Sequence, residues 1–315
     1  MGSKDERDPM ILPNFLIAGA AKCGTTSLYH YLKQHPDVFM SNPKEPKFLS
    51  GRSTCPGRGP GDDLVERSVS KSFGAYSALF EKAVGKAVIG EASVDTIFYP
   101  DYSIPAIQRY LGDPKIIMIL RDPVARAYSA YNHLVRDGRE TLSFQKALDA
   151  EEGRKQSGYR HMWLYREGGL YAAHVRAFQK NFQQVLVLLH DDLARDPLSV
   201  MRETYLFGGI DPDFIPDMKH LHNIAGVPRL ALFDALFVKP KLLHKLVRTM
   251  SGAILGADRW IRLRDRVRSI NLDKPKPMPL EIAVELRDYY REDVLTLQDY
   301  ISRDLSAWIN GKGRN

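Results

Sequence analysis

Continuous apolar runs alternate with amphipathic stretches over the first two thirds of the chain. Asn14 to Ala20 reads as a buried strand, followed by a glycine turn and a helix from about Thr25 to Gln34. Ala87 to Gly90, Lys115 to Leu120 and Val185 to Leu189 have strand length and no polar alternation, the pattern of parallel strands covered on both faces. Helices are expected over Ser103 to Leu111, over Val124 to Val135 behind Pro123, and from Pro197 to about Leu206. The Gly- and Pro-rich segment from Gly51 to Asp63 reads as a mobile loop. Beyond Pro212 the periodicity is helical throughout, with Leu230–Phe237, Lys241–Met250, Asp258–Val267 and a long helix from Leu280 to about Ile301. Strands alternating with helices predict an α/β fold with a parallel doubly wound sheet flanked by helices and a C-terminal helical cap. The expected organisation is one domain over residues 10–310, with a core of about 10–210 and a cap of about 211–310.

Composition narrows this picture. The 315 residues are 44% apolar, enough for a packed core. The two cysteines, Cys23 and Cys55, cannot build a disulfide framework, so a reduced, cytoplasmic protein is expected. Phe15 to Ala18 is too short to span a bilayer, and Met1 to Pro13 carries no apolar leader, so no anchor or secretion signal is expected. The net charge is +7, and its location matters more than its size. Between Ala225 and Ile270 stand ten Lys and Arg against three Asp, a surplus equal to the whole net charge. A local basic surface attracts phosphorylated ligands, acidic glycans, nucleic acid or lipid headgroups, and a solvated helical face has the same composition.

The segment richest in chemistry is Gly19-Ala20-Ala21-Lys22-Cys23-Gly24-Thr25-Thr26-Ser27. It follows an expected strand and opens an expected helix, where successive backbone N–H groups and the helix start make an anion cradle. A nucleotide triphosphatase would read Gly-x₄-Gly-Lys-Ser/Thr here. This chain keeps the two glycines, but Thr25 holds the lysine position and the lysine stands inside the loop as Lys22. A kinase needs that lysine together with Mg²⁺ to hold its terminal phosphates. A less charged donor is served by a single lysine at its bridging oxygen. The same glycine spacing also occurs in turns that bind nothing.

With its neighbours, this stretch resembles the 5′-phosphosulfate loop of sulfotransferases that use 3′-phosphoadenosine 5′-phosphosulfate (PAPS), in particular the bacterial and heparan-sulfate-type branch. Pro43-Lys44-Glu45-Pro46-Lys47-Phe48-Leu49 is similar to a Lys-Glu-Pro-His-Phe-Phe segment of that family. Ile119-Leu120-Arg121-Asp122-Pro123 through Ser129 is similar to its 3′-phosphate stretch. Gly168-Gly169-Leu170-Tyr171 and His190-Asp191-Asp192-Leu193 match later landmarks, all in the family's order. The resemblance implies a P-loop-type fold, PAPS as donor, PAP as product and no metal.

It also implies roles. Lys22 would neutralise the departing phosphate, and Cys23, Gly24, Thr25, Thr26 and Ser27 would bind the 5′-phosphosulfate. Arg121 and Ser129 would share the 3′-phosphate, with Tyr171 and Arg229 also on the nucleotide. For Arg121, the residues alone allow an ion pair with Asp122 or Asp101 equally well. Glu45 would be the general base, its basicity raised by desolvation and lowered by Lys44 and Lys47. Lys47 stands where the family often has His, so it would supply charge at the sulfuryl oxygens rather than a proton relay. Glu91, Ser93 and Tyr99 would line the acceptor. His220 and His222 lack the companion ligands of a metal site. The expected partner is a small-molecule, lipid or glycan acceptor, and no nucleic acid. The basic helices of 225–270 would serve as an acceptor lid or as a peripheral membrane contact. The rival classes are a Mg²⁺-dependent P-loop kinase and a non-catalytic anion-binding module.

Overall fold

The computed structural model describes residues 10–51, 57–63, 69–218, 227–228, 272–273 and 276–311. The chain divides into two compact units, one comprising residues 1–131, 142–223 and 278–315, the other 132–141 and 224–277.

The larger unit is built on five parallel strands: β1 (Phe15–Gly19), β2 (Val38–Met40), β3 (Val88–Glu91), β4 (Lys115–Leu120) and β5 (Val185–Leu189), in the order β2-β3-β1-β4-β5. The apolar runs are explained by burial: every residue of β1 is buried, and Ile116 to Leu120 of β4 have no exposed surface. The connecting helices are α1 (Thr25–Leu32), α2 (Phe73–Ser77), α3 (Pro100–Leu111), α4 (Pro123–Arg136), α5 (Phe144–Asp149), α6 (Glu151–Gln156), α7 (Ala172–Asn181), α8 (His190–Arg195) and α9 (Pro197–Gly208). The C-terminal helices are α10 (Leu280–Ile301) and α11 (Ser306–Asn310). Local sequence explains the helix ends that matter. Asp122 Oδ1 accepts from the Val124 N–H at 2.9 Å and caps α4, with Pro123 in its first turn. Asp196 caps α9 in the same way through Ser199 N–H at 3.1 Å, and Gly209 ends α9 in the left-handed region at φ 77°.

Because β1 lies between β3 and β4, the chain leaves β1 on one side of the sheet and returns to it on the other. Strand ends that diverge in this way open a crevice at the carboxyl edge, where open α/β sheets place their ligands. Two backbone bonds hold the crevice together: Ile97 N–H donates to Ala18 O at 2.8 Å, and Ala20 N–H to Ile119 O at 2.9 Å.

Three expectations about the elements change. The sheet has a fifth strand, Val38–Met40, which is only three residues long and shows no run in the sequence. The helices α5 to α8 and the short α2 fall in stretches whose pattern predicts no element. In the smaller unit, the expected all-helical region contains an antiparallel pair, Val227–Pro228 with Leu272–Asp273. Arg229, His220, His222 and the expected helices between 230 and 267 lie outside the described residues.

The described part of the Gly/Pro-rich loop is anchored rather than mobile. Asp62 is fully buried and accepts from Gly59 N–H at 2.9 Å, Arg160 N–H at 3.3 Å and the Trp163 indole N–H at 3.3 Å. Arg58 N–H adds a bond to Gly158 O at 3.1 Å. Removing the carboxylate strands three buried donors. Asp62→Ala should therefore cost about 2–4 kcal/mol, read as a lower melting temperature and faster proteolysis between Gly51 and Asp63. An unchanged melting temperature would show that the loop is not held by Asp62.

Candidate active site

The crevice is lined by three strand ends. Over β1 runs the loop that enters α1. It contains two left-handed residues, Lys22 at φ 71° and Gly24 at φ 98°. Glycine adopts that conformation freely, whereas a residue with a Cβ does so at a cost of roughly 1 kcal/mol. A Cβ at Gly24 would also approach His190 and Leu193 of α8 to 3.2 Å, so glycine lets the backbone pack closely there. Gly24 is the N-cap of α1, provides no capping side chain, and is followed by a first turn without an acid. The free N–H groups of a helix start need an acceptor, and this chain leaves the position open to an anion. Thr25 is buried, and Thr26 and Ser27 are half-buried at the mouth. The Cys23 side chain points inward with no exposed surface, and burial pushes its thiol up. Its backbone N–H donates to Ala20 O at 3.3 Å within the loop.

Beyond the end of β4 stands Arg121, whose Nη1 donates to Lys22 O at 3.4 Å. It has no ion pair among the described residues, and Asp122 is occupied capping α4. Of the two readings left open for Arg121, the strand-end salt bridge is therefore not formed. Ser129 lies two turns along α4, half-buried. Arg121 thus stands against the Lys22 backbone just before the start of α1, with no carboxylate of the described residues in ion-pair range of the arginine.

Beyond the end of β3 lies the segment after β2. Its backbone is stitched to the strand: Ser41 N–H to Gly90 O at 2.9 Å, Ala92 N–H to Lys44 O at 3.1 Å, and Lys47 N–H to Ser93 Oγ at 2.9 Å. This places Glu45 at the crevice with a side-chain exposure of 29%. Its Oε1 accepts from Lys44 Nζ at 3.1 Å, and its Oε2 lies 3.3 Å from Lys47 Nζ. Burial pushes the Glu45 carboxyl up, but the two ammonium groups outweigh it and hold the group below its usual range. The raised basicity expected from desolvation is therefore lost to the flanking lysines. Lys47 is nearly buried and left-handed at φ 55°, a strained conformation for a residue with a side chain.

Glu91 and Ser93 require correction. Both are only 1% exposed, so neither lines the acceptor directly. Glu91 Oε2 accepts from Ser93 N–H at 2.7 Å, and Ser93 in turn holds Lys47. Burial, with added repulsion from Asp95 and Glu45, pushes Glu91 up to about 8 in spite of the Ser93 hydrogen bonds. Tyr171 requires it too: the ring is 1% exposed and its hydroxyl donates to Arg121 O at 3.0 Å, so it supports the arginine from below. Tyr99 is half-buried, and its hydroxyl accepts from His161 N–H at 3.2 Å.

Sequence reasoning did not single out Arg126. It is 1% exposed, donates from Nη2 to Tyr165 O at 2.5 Å, and borders a small cavity beneath the loop with Ala20, Ala21, Phe98, His161 and His174. The only signal was its place in the Arg121–Ser129 stretch, where it reads as an exposed helix residue.

Residues 12–224, about two thirds of the chain, match the family profile described as the sulfotransferase domain. The solved structure titled a sulfotransferase from Alicyclobacillus acidocaldarius superposes with a TM-score of 0.74 at 36% identity, covering 95% of this chain and 99% of that one. Carbohydrate sulfotransferase 15 of Homo sapiens is 27% identical over 248 residues, 64% of this chain and 44% of that protein. Heparan sulfate glucosamine 3-O-sulfotransferase 3B1 of Mus musculus is 27% identical over 262 residues, 82% of this chain and 62% of that protein. The chain thus spans about half the length of these curated relatives. Together with the crevice, these likenesses show that the chain belongs to the sulfotransferase family.

Proposed function

We propose that this protein transfers a sulfuryl group from PAPS to a hydroxyl or amine of a carbohydrate-like or other small acceptor. The observation that carries the reading is the uncapped, acid-free start of α1 beside Lys22, together with an Arg121 that has no ion pair among the described residues. These groups fit a ligand with two anionic ends, one for the helix start and one for the guanidinium and Ser129. Lys47 and Glu45 stand across the crevice from them. The carbohydrate character of the acceptor is supported by the names of the two curated relatives, and an acidic acceptor by the basic segment 225–270.

The donor supplies an activated sulfuryl group on a phosphate. The chain's part is to bind, to neutralise and to move one proton. Backbone N–H groups from Gly24 to Ser27 hold the phosphosulfate end, and Lys22 balances the charge that grows on the departing phosphate. Glu45, ionised between its lysines, takes the proton of the acceptor as the acceptor's oxygen or nitrogen bonds to sulfur and the sulfur–phosphate oxygen bond breaks. A low-lying carboxylate is a weak base, and here Lys47 matters. When its ammonium turns to the sulfuryl oxygens it leaves Glu45, whose basicity rises as the proton must be taken. Glu91 is held neutral behind them, so no second negative charge opposes the ionised Glu45.

Three outcomes are expected. PAP should raise the melting temperature with EDTA present, while AMP and ATP with Mg²⁺ should not; equal shifts from PAP and AMP would refute the 3′-phosphate assignment. Glu45→Gln should keep PAP affinity and lose turnover by about 10²–10⁴, whereas Lys22→Ala should lose both. Near-normal turnover in Glu45→Gln would remove Glu45 as the base. The third concerns pH. Glu91 binds its proton more tightly folded than unfolded, so its contribution to stability is full below the ordinary value of 4.5 and is lost as pH rises through about 8. Glu91→Gln should therefore gain in melting temperature over the wild type as pH is raised from about 5 to about 9, and parallel curves would contradict a buried neutral carboxyl.

A further inference from the structure

The matched sulfotransferase domain ends at residue 224, yet the crevice is tied to a helix beyond it. Asp293, on α10, accepts at Oδ2 from Tyr171 N–H at 2.7 Å and at Oδ1 from Ala172 N–H at 3.2 Å. It therefore caps α7 from a helix 121 residues away, at a start where Tyr171 provides no cap of its own. Three residues before Asp293, on the same face of α10, the Tyr290 hydroxyl lies 3.0 Å from Tyr165 O and 2.9 Å from Arg166 O. Tyr290 is 1% exposed, and a Cβ at Gly169 would come within 2.8 Å of its ring. Two residues of α10 thus fix both ends of the segment from Tyr165 to Ala172.

What that segment delivers is one phenol. The Tyr171 ring is buried, with its hydroxyl 3.0 Å from Arg121 O and 3.7 Å from Cys23 Sγ. Cys23 Sγ reaches Ala21 O at 3.6 Å, and Arg121 Nη1 reaches Lys22 O at 3.4 Å. Arg121 follows the last residue of β4, so its carbonyl has left the sheet ladder, and the Tyr171 hydroxyl is the donor that takes it up. The direction of the guanidinium depends on the backbone that carries it.

We propose that Asp293 and Tyr171 are positioning residues for the nucleotide site: the C-terminal helix, through the phenol of Tyr171, sets the backbone of Arg121 so that its guanidinium receives the 3′-phosphate. This rests on the reading of Arg121 given above. It makes α10 part of the donor site, although α10 lies outside the matched domain.

The test is a double-mutant cycle on PAP affinity, measured calorimetrically on the full chain. Tyr171→Phe should weaken PAP binding about five- to tenfold, the loss expected of one hydrogen bond that orients a charged contact. In an Arg121→Ala background the same change should have no further effect, because the residue it acts through is gone. Asp293→Asn should repeat the pattern more weakly, and it serves in place of Tyr171→Phe if that variant fails to fold. A generally loosened fold would weaken binding equally in both backgrounds, and that result would overturn the proposal. So would an affinity within twofold of the wild type for both single variants. Failure of the wild type to bind PAP at all would instead refute the proposed function, so the two failures are distinguishable.

Discussion

The structure turns on the backbone N–H groups at the start of α1, which the chain leaves without a capping side chain or a first-turn acid. Groups of this kind are costly to bury unsatisfied, and a helix start concentrates partial positive charge. Much of the surrounding architecture serves to keep them open and aimed. β1 enters the turn fully buried, Gly24 allows close packing against α8, and Ala20 N–H extends the pairing with β4 past the strand end. Parallel order then places β3 and β4 on either side, so Arg121 after one and the Glu45 segment stitched to the other stand at the same edge of the sheet.

The second theme is the division of labour between two carboxyl groups. Glu45 and Glu91 sit close enough to influence each other, yet they are pushed in opposite directions. Lys44 and Lys47 hold Glu45 ionised, and burial holds Glu91 neutral. Under the proposed function, the charged group at the crevice and the neutral one behind it would let the acceptor side hold a base without accumulating negative charge against an anionic donor. Ser93 joins the two levels, since it accepts from Lys47 and donates to Glu91.

Much of this was legible in the sequence, for definite reasons. Lys115–Leu120, Val185–Leu189 and Leu280–Ile301 have the bounds that their patterns suggest, because long buried strands and a long amphipathic helix leave clear periodicity. Val38–Met40 is too short to leave any. Lys22, Glu45, Arg121 and Ser129 stood out because each belongs to a local motif. Depth did not: nothing local distinguishes Ser93 or Glu91 in the interior from the same residues at a surface, or shows that the Tyr171 phenol faces a carbonyl rather than a ligand. Asp62 and Asp293 act on partners about a hundred residues away, a link that a single sequence does not carry.

The most direct test of the central claim is a crystal structure of the protein with PAP. The account predicts the 5′-phosphate on the N–H groups from Gly24 to Ser27 beside Lys22, and the 3′-phosphate on Arg121 and Ser129. PAP bound elsewhere, or bound with its 3′-phosphate turned to solvent and Arg121 making an ion pair within the protein, would contradict it.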